Sequence, residues 1–223
     1  MKKYNCFLLK NLMLVFFFFA LLIIIGCTPT TIQIPQPETE TVIEKIIQPG
    51  PVEGKDSFAR EGNSGDRGDW GSLMIGTNDV HQYNRAYLQF NLSPIPQNAI
   101  VTEAKLGLYF NEKYGSGGYD YVSVYQVNGT WEENIVTWLY QPAFSTVAID
   151  TQEPGFFGDT GKFVYWNILN IVQGWVNGSV INYGVMLTNT DESQRGYRGF
   201  YSSDWTSPNP RPKLIIKYYI PQD

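Results

Sequence analysis

Cysteine and histidine are nearly absent from this chain, whose 223 residues include 2 Cys and 1 His. Both cysteines, Cys6 and Cys27, lie close to the N-terminus. If Cys6 is removed with a signal peptide and Cys27 is consumed by lipid, as proposed below, no disulfide can form in the mature protein. Its stability must then come from an apolar core or a bound ion. With one histidine and no free thiol, a zinc site is also excluded.

Positive charge is scarce as well, because 16 Lys and Arg residues stand against 21 Asp and Glu residues. The first 26 residues hold three of the lysines and no acidic residue, so the remaining chain has a net charge of −8. Without a basic stripe, we do not expect a nucleic-acid partner. The chain also lacks a nucleophile elbow and a phosphate-binding loop.

Only one long hydrophobic run is present, and it comprises the 14 residues from Leu12 to Ile25. It follows Lys2, Lys3 and Lys10, and it is shorter than the ~20 residues that a membrane span needs. This pattern predicts a signal peptide. The run ends at Gly26-Cys27, which resembles the lipobox of bacterial lipoproteins. The alternative is an uncleaved membrane anchor in which the cysteine has no role.

The lipobox resemblance implies cleavage before Cys27 and attachment of diacylglycerol to its sulfur, which anchors the protein to a membrane of the cell envelope. Thr28 is not the aspartate that retains lipoproteins in the inner membrane, so a Gram-negative host would place it in the outer membrane. We therefore predict three parts. They are a signal peptide (1–26), a lipidated tether rich in Pro, Thr and Glu (27–53), and a folded domain (54–221). Residues 42–47 fit either a short strand or a helical turn.

What the chain has in abundance is aromatic residues and period-two alternation, including 15 Tyr and 6 Trp. In residues 84–92, Ala86, Leu88 and Phe90 share one face, and residues 99–110 alternate in the same way. Pro94 and Pro96 interrupt the two runs. The connection is too long for a tight hairpin, which allows the two strands to belong to different sheets.

Further short strands follow at intervals of eight to twelve residues, separated by turn residues. Ile168, Val172 and Trp175 have helical spacing, which predicts one short helix capped by Asn167 or Asn170 and ended by Asn177-Gly178. Residues 130–133 match a capping box and predict a single helical turn, 136–138 are expected to be extended, and 139–161 are expected to be irregular. The fold class is all-β, an antiparallel β-sandwich of jelly-roll type.

Four segments together resemble the disaggregatase-related DNRLRE family. They are Arg85–Pro96 with Ile100–Tyr109, Trp131–Trp138, Trp166–Gly178, and Asn182–Leu187 with Phe200–Ser203 and Arg211–Leu214. The resemblance covers residues 54–220 and implies a non-catalytic jelly-roll domain of cell-surface and secreted proteins. Such domains are often attached to polysaccharide-degrading modules, and a related group is an alginate-binding carbohydrate module. Asn91, Asn167 and Leu169 depart from the family's Asp, Asp and Thr.

Binding of a polysaccharide or other glycan uses aromatic faces together with polar side chains. The candidate residues are Tyr114, Tyr119, Tyr121 and Tyr125 with Arg85, followed by Trp70 and Tyr83. These rings serve equally well as covers of a small sandwich. Basic partners for an anionic polymer would be Arg85, Lys105 and Lys113, although the net charge disfavours such a ligand. We expect Trp131, Trp138, Trp166 and Trp175 to be core residues.

Aspartates in glycine-rich polar loops suggest a structural calcium ion, because calcium prefers oxygen ligands. Asp56 and Asp69 are the first candidates, with Asp66 and Asp79 nearby in sequence. Their spacing does not match an EF-hand, and turn formation explains aspartates in such loops equally well.

The sequence therefore predicts a membrane-anchored, non-catalytic module that binds a glycan. One alternative is an envelope protein that binds another protein. A second is a polysaccharide lyase that uses His81, Tyr83 and Arg85 for proton abstraction.

Overall fold

The computed structural model describes residues 40–62, 65, 67–78, 80–114, 121–155, 159–193 and 195–222, with only the backbone of residue 114. This part of the chain is antiparallel β-structure with one short helix. Its elements are β1 (Ile43–Ile47), β2 (Asp56–Arg60), β3 (Ser72–Thr77), β4 (Tyr83–Leu88), β5 (Ile100–Tyr114), β6 (Val122–Gln126), β7 (Asp150–Gln152), β8 (Lys162–Asn167), α1 (Leu169–Val176), β9 (Val185–Asn189), β10 (Gly196–Tyr201) and β11 (Lys213–Tyr219). No helix within these residues is long and apolar enough to span a membrane.

The two alternating runs around Pro94 and Pro96 form β4 and β5, which do not pair with each other. β4 pairs with β2 and β9, whereas β5 pairs with β8, β10 and β11. The apolar positions of both runs are buried in one core, as their alternation predicts: Ala86, Leu88, Phe90, Ala104, Leu106, Leu108 and Phe110. The chain leaves the sheet at the prolines as expected, but β4 and β5 belong to one sheet with different partners, not to two separate sheets.

The strands form one sheet in the order β1-β11-β5-β10-β3-β4-β9-β6-β7, with β2 beside β4 and β8 beside β5. β3 and β4 are joined in register only at Gly76 and Asn84. Gly76 has a φ of 100° there, a conformation that favours glycine. Apolar residues from strands on both sides of this joint form the core. The sheet is therefore folded over into the predicted β-sandwich.

The 15-residue strand β5 organises one half of the sandwich. Phe110 pairs with Lys162 of β8 and with Phe200 of β10, so these two strands flank β5 on opposite sides. β11 also lies opposite β8, because both pair with residues 105–107. Hence β10 and β11 follow one another along the same side of β5. Residues 202–212, which we call the 202–212 loop, leave the sheet between them.

A second apolar cluster lies on the other face of β2, β4 and β9, away from the main core. It contains Ala59, Tyr87, Val127, Trp131, Val136 and Met186. Residues 127–144 cover this face, and Trp131 donates its indole N–H to the Tyr183 carbonyl at 2.9 Å. All four tryptophans that we expected in the core pack into one of the two clusters, with Trp138 only partly buried.

Several local features differ from the sequence-based expectations. β1 lies within the segment assigned to the tether and pairs with β11, and β7 lies in a region expected to be irregular. Residues 136–138 form no strand. Helix α1 forms as expected, but its N-cap is Ile168, without a side-chain cap. Glu133 does not act in a capping box, because its carboxylate accepts the Asp56 N–H at 2.8 Å.

Candidate functional site

Five aromatic side chains form a continuous row across β8, β5, β10 and the 202–212 loop. The ring centroids of Trp205 and Tyr201 are 4.3 Å apart, and those of Tyr201 and Tyr109 are 5.8 Å apart. Tyr109 then meets Phe163 at 5.2 Å, and Phe163 meets Tyr165 at 5.8 Å. We call Tyr109, Phe163, Tyr165, Tyr201 and Trp205 the aromatic face.

Strand alternation explains why these rings point away from the core. Tyr109 lies between the buried residues Leu108 and Phe110, and Tyr165 lies between the buried residues Val164 and Trp166. Tyr201 follows the buried Phe200. Tyr109 and Phe163 are partners in register, and so are Gly107 and Tyr165. Period-two side-chain direction and pairing therefore bring rings from three strands to one surface.

Gly107 and Lys213 shape the centre of this surface. A Cβ atom at position 107 would lie 2.8 Å from the Tyr165 ring, so only glycine lets Tyr165 rest across β5 in this position. The Lys213 ammonium lies 3.6 Å from the centroid of Phe163, which is a cation–π contact. Aromatic rings beside a hydrogen-bond donor match the chemistry of sugars, which have apolar ring faces and hydroxyl groups.

A separate cleft of about 330 Å³ lies where β4, β6 and β9 meet the covering segment, and it holds two of the predicted glycan residues. Its lining includes Arg85, Tyr125, Phe144, Thr188 and Glu192. Tyr125 meets Phe144 edge-on at 6.2 Å. Tyr121 is exposed near this cleft, since its carbonyl accepts the Thr190 N–H at 2.8 Å and Thr190 lines the cleft.

Arg85 is held firmly in this cleft. Its Nε and Nη2 atoms each donate to a different Glu192 oxygen at 2.7 Å, and Nη1 donates to Gln141 at 3.1 Å. The guanidinium also stacks on Trp138 at 4.7 Å. The hydrogen bonds to Glu192 raise the pKa of Arg85. Burial raises the pKa of Glu192, but the hydrogen bonds from Arg85 and Thr188 outweigh burial. The pKa of Glu192 is therefore lower than its ordinary value. Three of the five N–H donors of Arg85 are already used within the protein.

Three carboxylates gather at another place, although they are far apart in sequence. Asp56 begins β2, Glu133 lies in the turn after Trp131, and Asp204 lies in the 202–212 loop. One oxygen atom from each lies within 4.8 Å of the others. Asp69 is exposed, and its charge raises the pKa values of Glu133 and Asp204, so it lies close by. The cluster thus contains Asp56 of the predicted calcium pair and has Asp69 at its margin.

Asp56 is the most buried member of this acidic cluster, with 2% exposure. Burial raises its pKa from 3.8 to about 7, and the charges of Glu133 and Asp204 act in the same direction. The Ser203 N–H donates to Oδ2 at 3.0 Å and lowers the pKa, while Oδ1 accepts no hydrogen bond. The Ser203 hydroxyl is beside this carboxyl without hydrogen-bond geometry.

The comparison with known families decides what kind of module carries these surfaces. The sequence profile of carbohydrate-binding module family 96 matches residues 53–218. The chain belongs to carbohydrate-binding module family 96. The match begins just before β2 and ends within β11, so it contains the aromatic face, the cleft and the acidic cluster of the family 96 module. A search of curated proteins finds no match.

The other sequence-predicted residues of the family 96 module have packing roles or lie outside the described residues. Trp70 packs edge-on against Phe58 at 5.7 Å, and Tyr83 packs against Trp138 at 5.9 Å. Tyr119, Asp66, Asp79 and Cys27 are not among the described residues, and of Tyr114 only the backbone is described, paired with Tyr197. His81 accepts a hydrogen bond from Arg195 at 3.0 Å, and Arg85 is bound by Glu192.

The sequence interpretation of the module missed the aromatic face and two members of the acidic cluster. Alternation did contain a signal for the face, because Tyr109, Phe163, Tyr165 and Tyr201 each lie next to a buried position within a strand. For Glu133 the capping-box match concealed its contact with Asp56. Asp204 lies in a loop whose neighbours in space are distant in sequence.

Proposed function

We propose that this chain is a lipid-anchored carbohydrate-binding protein that holds a polysaccharide on its aromatic face and does not cleave it. Membership of a carbohydrate-binding family supports the ligand class. The observation that carries the location is the row of five neighbouring rings on the side of β5, β8 and β10 that faces away from the core. A row of rings suits a chain of sugars, since each ring offers an apolar face.

The aromatic face fits this role better than the Arg85 cleft does. In the cleft, three of the five N–H donors of Arg85 are used by Glu192 and Gln141, and Tyr125 is half-buried against Phe144. On the aromatic face, Tyr165 is 37% exposed, and Lys213 contacts its neighbours only through ring faces in the described contacts. A lysine side chain moves at little cost, so its ammonium can turn to sugar hydroxyls or carboxylates.

The absence of catalysis in this proposal rests on the binding character of the family and on how the candidate lyase residues are engaged. Proton abstraction needs a base within hydrogen-bond reach of substrate. His81 Nε2 already accepts from Arg195, and Arg85 forms a bidentate pair with Glu192. The DNRLRE resemblance and the lipobox at Cys27 support a surface-exposed, membrane-anchored protein.

Binding is tested with the full-length protein, purified in detergent, by affinity electrophoresis in gels that contain alginate, pectin, xylan or β-glucan. We expect Tyr165→Ala and Tyr201→Ala to weaken retardation at least tenfold in whichever gel retards the wild type. Tyr121→Ala and Tyr125→Ala test the cleft region instead. Tyr140→Ala is the matched control, because Tyr140 is 72% exposed and lies outside both surfaces.

Loss of retardation in the Tyr121 and Tyr125 variants alone would move the site to the cleft. No retardation by any glycan, together with capture of a protein partner, would support the adhesive alternative. Formation of unsaturated chain ends that disappears in Tyr83→Phe would establish the lyase alternative. Anchoring is tested by mass spectrometry of the N-terminus, where an acyl adduct on Cys27, lost in Cys27→Ala, is expected.

A further inference from the structure

The acidic cluster of Asp56, Glu133 and Asp204 is unusual because no basic side chain is among the described groups that shift the pKa of its most buried member, Asp56. Asp56 is almost fully buried, yet its Oδ1 atom has no hydrogen-bond partner among the described residues. The Ser203 oxygen beside it is also buried and unpartnered. Buried acceptors of this kind are rare, because leaving one unsatisfied destabilises the folded protein. An unpartnered acceptor next to two more carboxylates indicates a missing cation.

Two nearby basic side chains, Lys55 and Arg211, act on Glu133 and Asp204 through their charge, but both also have contacts outside the cluster. Lys55 lies 3.9 Å from Glu132, which is not a member of the cluster, and 4.8 Å from the Trp131 ring. The Arg211 Nε–H donates to the Trp205 carbonyl at 2.9 Å. Burial and the charge of Asp69 raise the pKa of Asp204, and the opposing charge of Arg211 does not cancel this rise. Three carboxylates therefore converge with no basic side chain placed between them in the described contacts.

We propose that Asp56, Glu133 and Asp204 bind a calcium ion. The donor set consists of oxygen atoms only, which suits a hard cation and not zinc or copper. Calcium accepts six to eight oxygen ligands in flexible geometry, and waters or the Ser203 hydroxyl can complete the shell. Magnesium demands a stricter octahedron than ligands from three separate segments readily supply.

The proposed ion would tie together three segments that are distant in sequence. Asp56 is in β2, Glu133 is in the segment that covers the second apolar cluster, and Asp204 is in the 202–212 loop. A mature chain without disulfides would gain long-range cross-links in this way, because an ion that binds only the folded state stabilises it. This inference does not depend on where the glycan binds.

The test uses the full-length protein in detergent after treatment with EGTA. Terbium is the probe, since it replaces calcium and its luminescence is excited by nearby tryptophan, and Trp205 adjoins Asp204. We expect sensitised luminescence that calcium displaces, and a rise in Tm on addition of calcium. In Asp204→Asn and Glu133→Gln, calcium affinity should fall at least about tenfold, since the number of ligand charges sets the affinity.

Glu132→Gln is the matched control, because Glu132 precedes Glu133 but its side chain is 70% exposed and outside the cluster. Circular dichroism of the calcium-free variants shows whether each is folded, and Asp204→Asn, on the more exposed acid, provides the result if Glu133→Gln does not fold. The proposal is overturned if calcium leaves the wild-type Tm unchanged and does not displace terbium. Equal calcium responses in Asp204→Asn and Glu132→Gln would also overturn it.

Discussion

Replacing Asp56 by asparagine should have opposite effects on stability with and without calcium. The substitution keeps the shape of the side chain, and the asparagine oxygen can still accept the Ser203 N–H that Asp56 Oδ2 accepts at 3.0 Å. Its new amide group can donate to Glu133 or Asp204, which have an oxygen within 4.8 Å. The change therefore removes a buried charge and supplies a donor without creating a cavity.

The size of the effect follows from the pKa of Asp56. Burial raises this pKa from 3.8 to about 7, which corresponds to a cost of roughly 4 kcal/mol for ionising the group in the folded state. Because the folded protein keeps this proton while the unfolded chain loses it near pH 3.8, calcium-free wild type should lose stability as the pH rises between these values. Besides burial, the charges of Glu133 and Asp204 oppose ionisation of Asp56, and Ser203 favours it.

Urea denaturation at pH 8 measures this effect. In EGTA, Asp56→Asn should be more stable than the wild type, by up to roughly 4 kcal/mol. In millimolar calcium the order should reverse, because only the wild type retains the ligand. Glu132→Gln should change stability by less than about 0.5 kcal/mol in either buffer. If Asp56→Asn is less stable than the wild type in EGTA, the carboxylate stabilises the fold without an ion and the reasoning is wrong.

Three further predictions follow from other parts of the structure. Glu192→Gln should lower the free energy of unfolding by about 1–3 kcal/mol, because it breaks the ion pair with half-buried Arg85. A double-mutant cycle with Arg85→Gln should show coupling between the two residues, and additive effects would contradict this prediction. Gly184→Ala should strongly lower the stability measured by urea denaturation, because φ is 85° and the new Cβ would lie 2.1 Å from the Leu88 carbonyl oxygen. Gly129→Ala is the control and should be tolerated, because its new Cβ would have its nearest contact at 3.8 Å. EGTA should weaken retardation in glycan gels, because Asp204 precedes Trp205 of the aromatic face; unchanged retardation would show that the ion and the face are independent.

Local periodicity was sufficient to predict much of the fold. Residues 86–90 and 104–110 alternate regularly, and each apolar position in them is buried. Proline between the two runs correctly indicated that the chain leaves the sheet there, although both strands lie in one sheet. Helix α1 was also recognised, because Ile168, Val172 and Trp175 repeat at helical spacing. These signals lie in residues that are close together in sequence, so they can be recognised without knowledge of tertiary contacts.

The surfaces depend on neighbours that are distant in sequence. Tyr109 and Phe163 are adjacent only because β5 pairs with β8, and Tyr201 joins them only because β10 lies on the other side of β5. Asp56 and Glu133 meet across 77 positions of sequence. Strand β7 was missed for a similar reason, since its three residues are extended through pairing with β6.

The 202–212 loop connects two strands that pair with the same side of β5, since β10 precedes the loop and β11 follows it. Its two ends are thus anchored independently of its own length and composition. Because the loop carries both Trp205 and Asp204, a single insertion or deletion there is expected to alter the proposed glycan site and the proposed calcium site together.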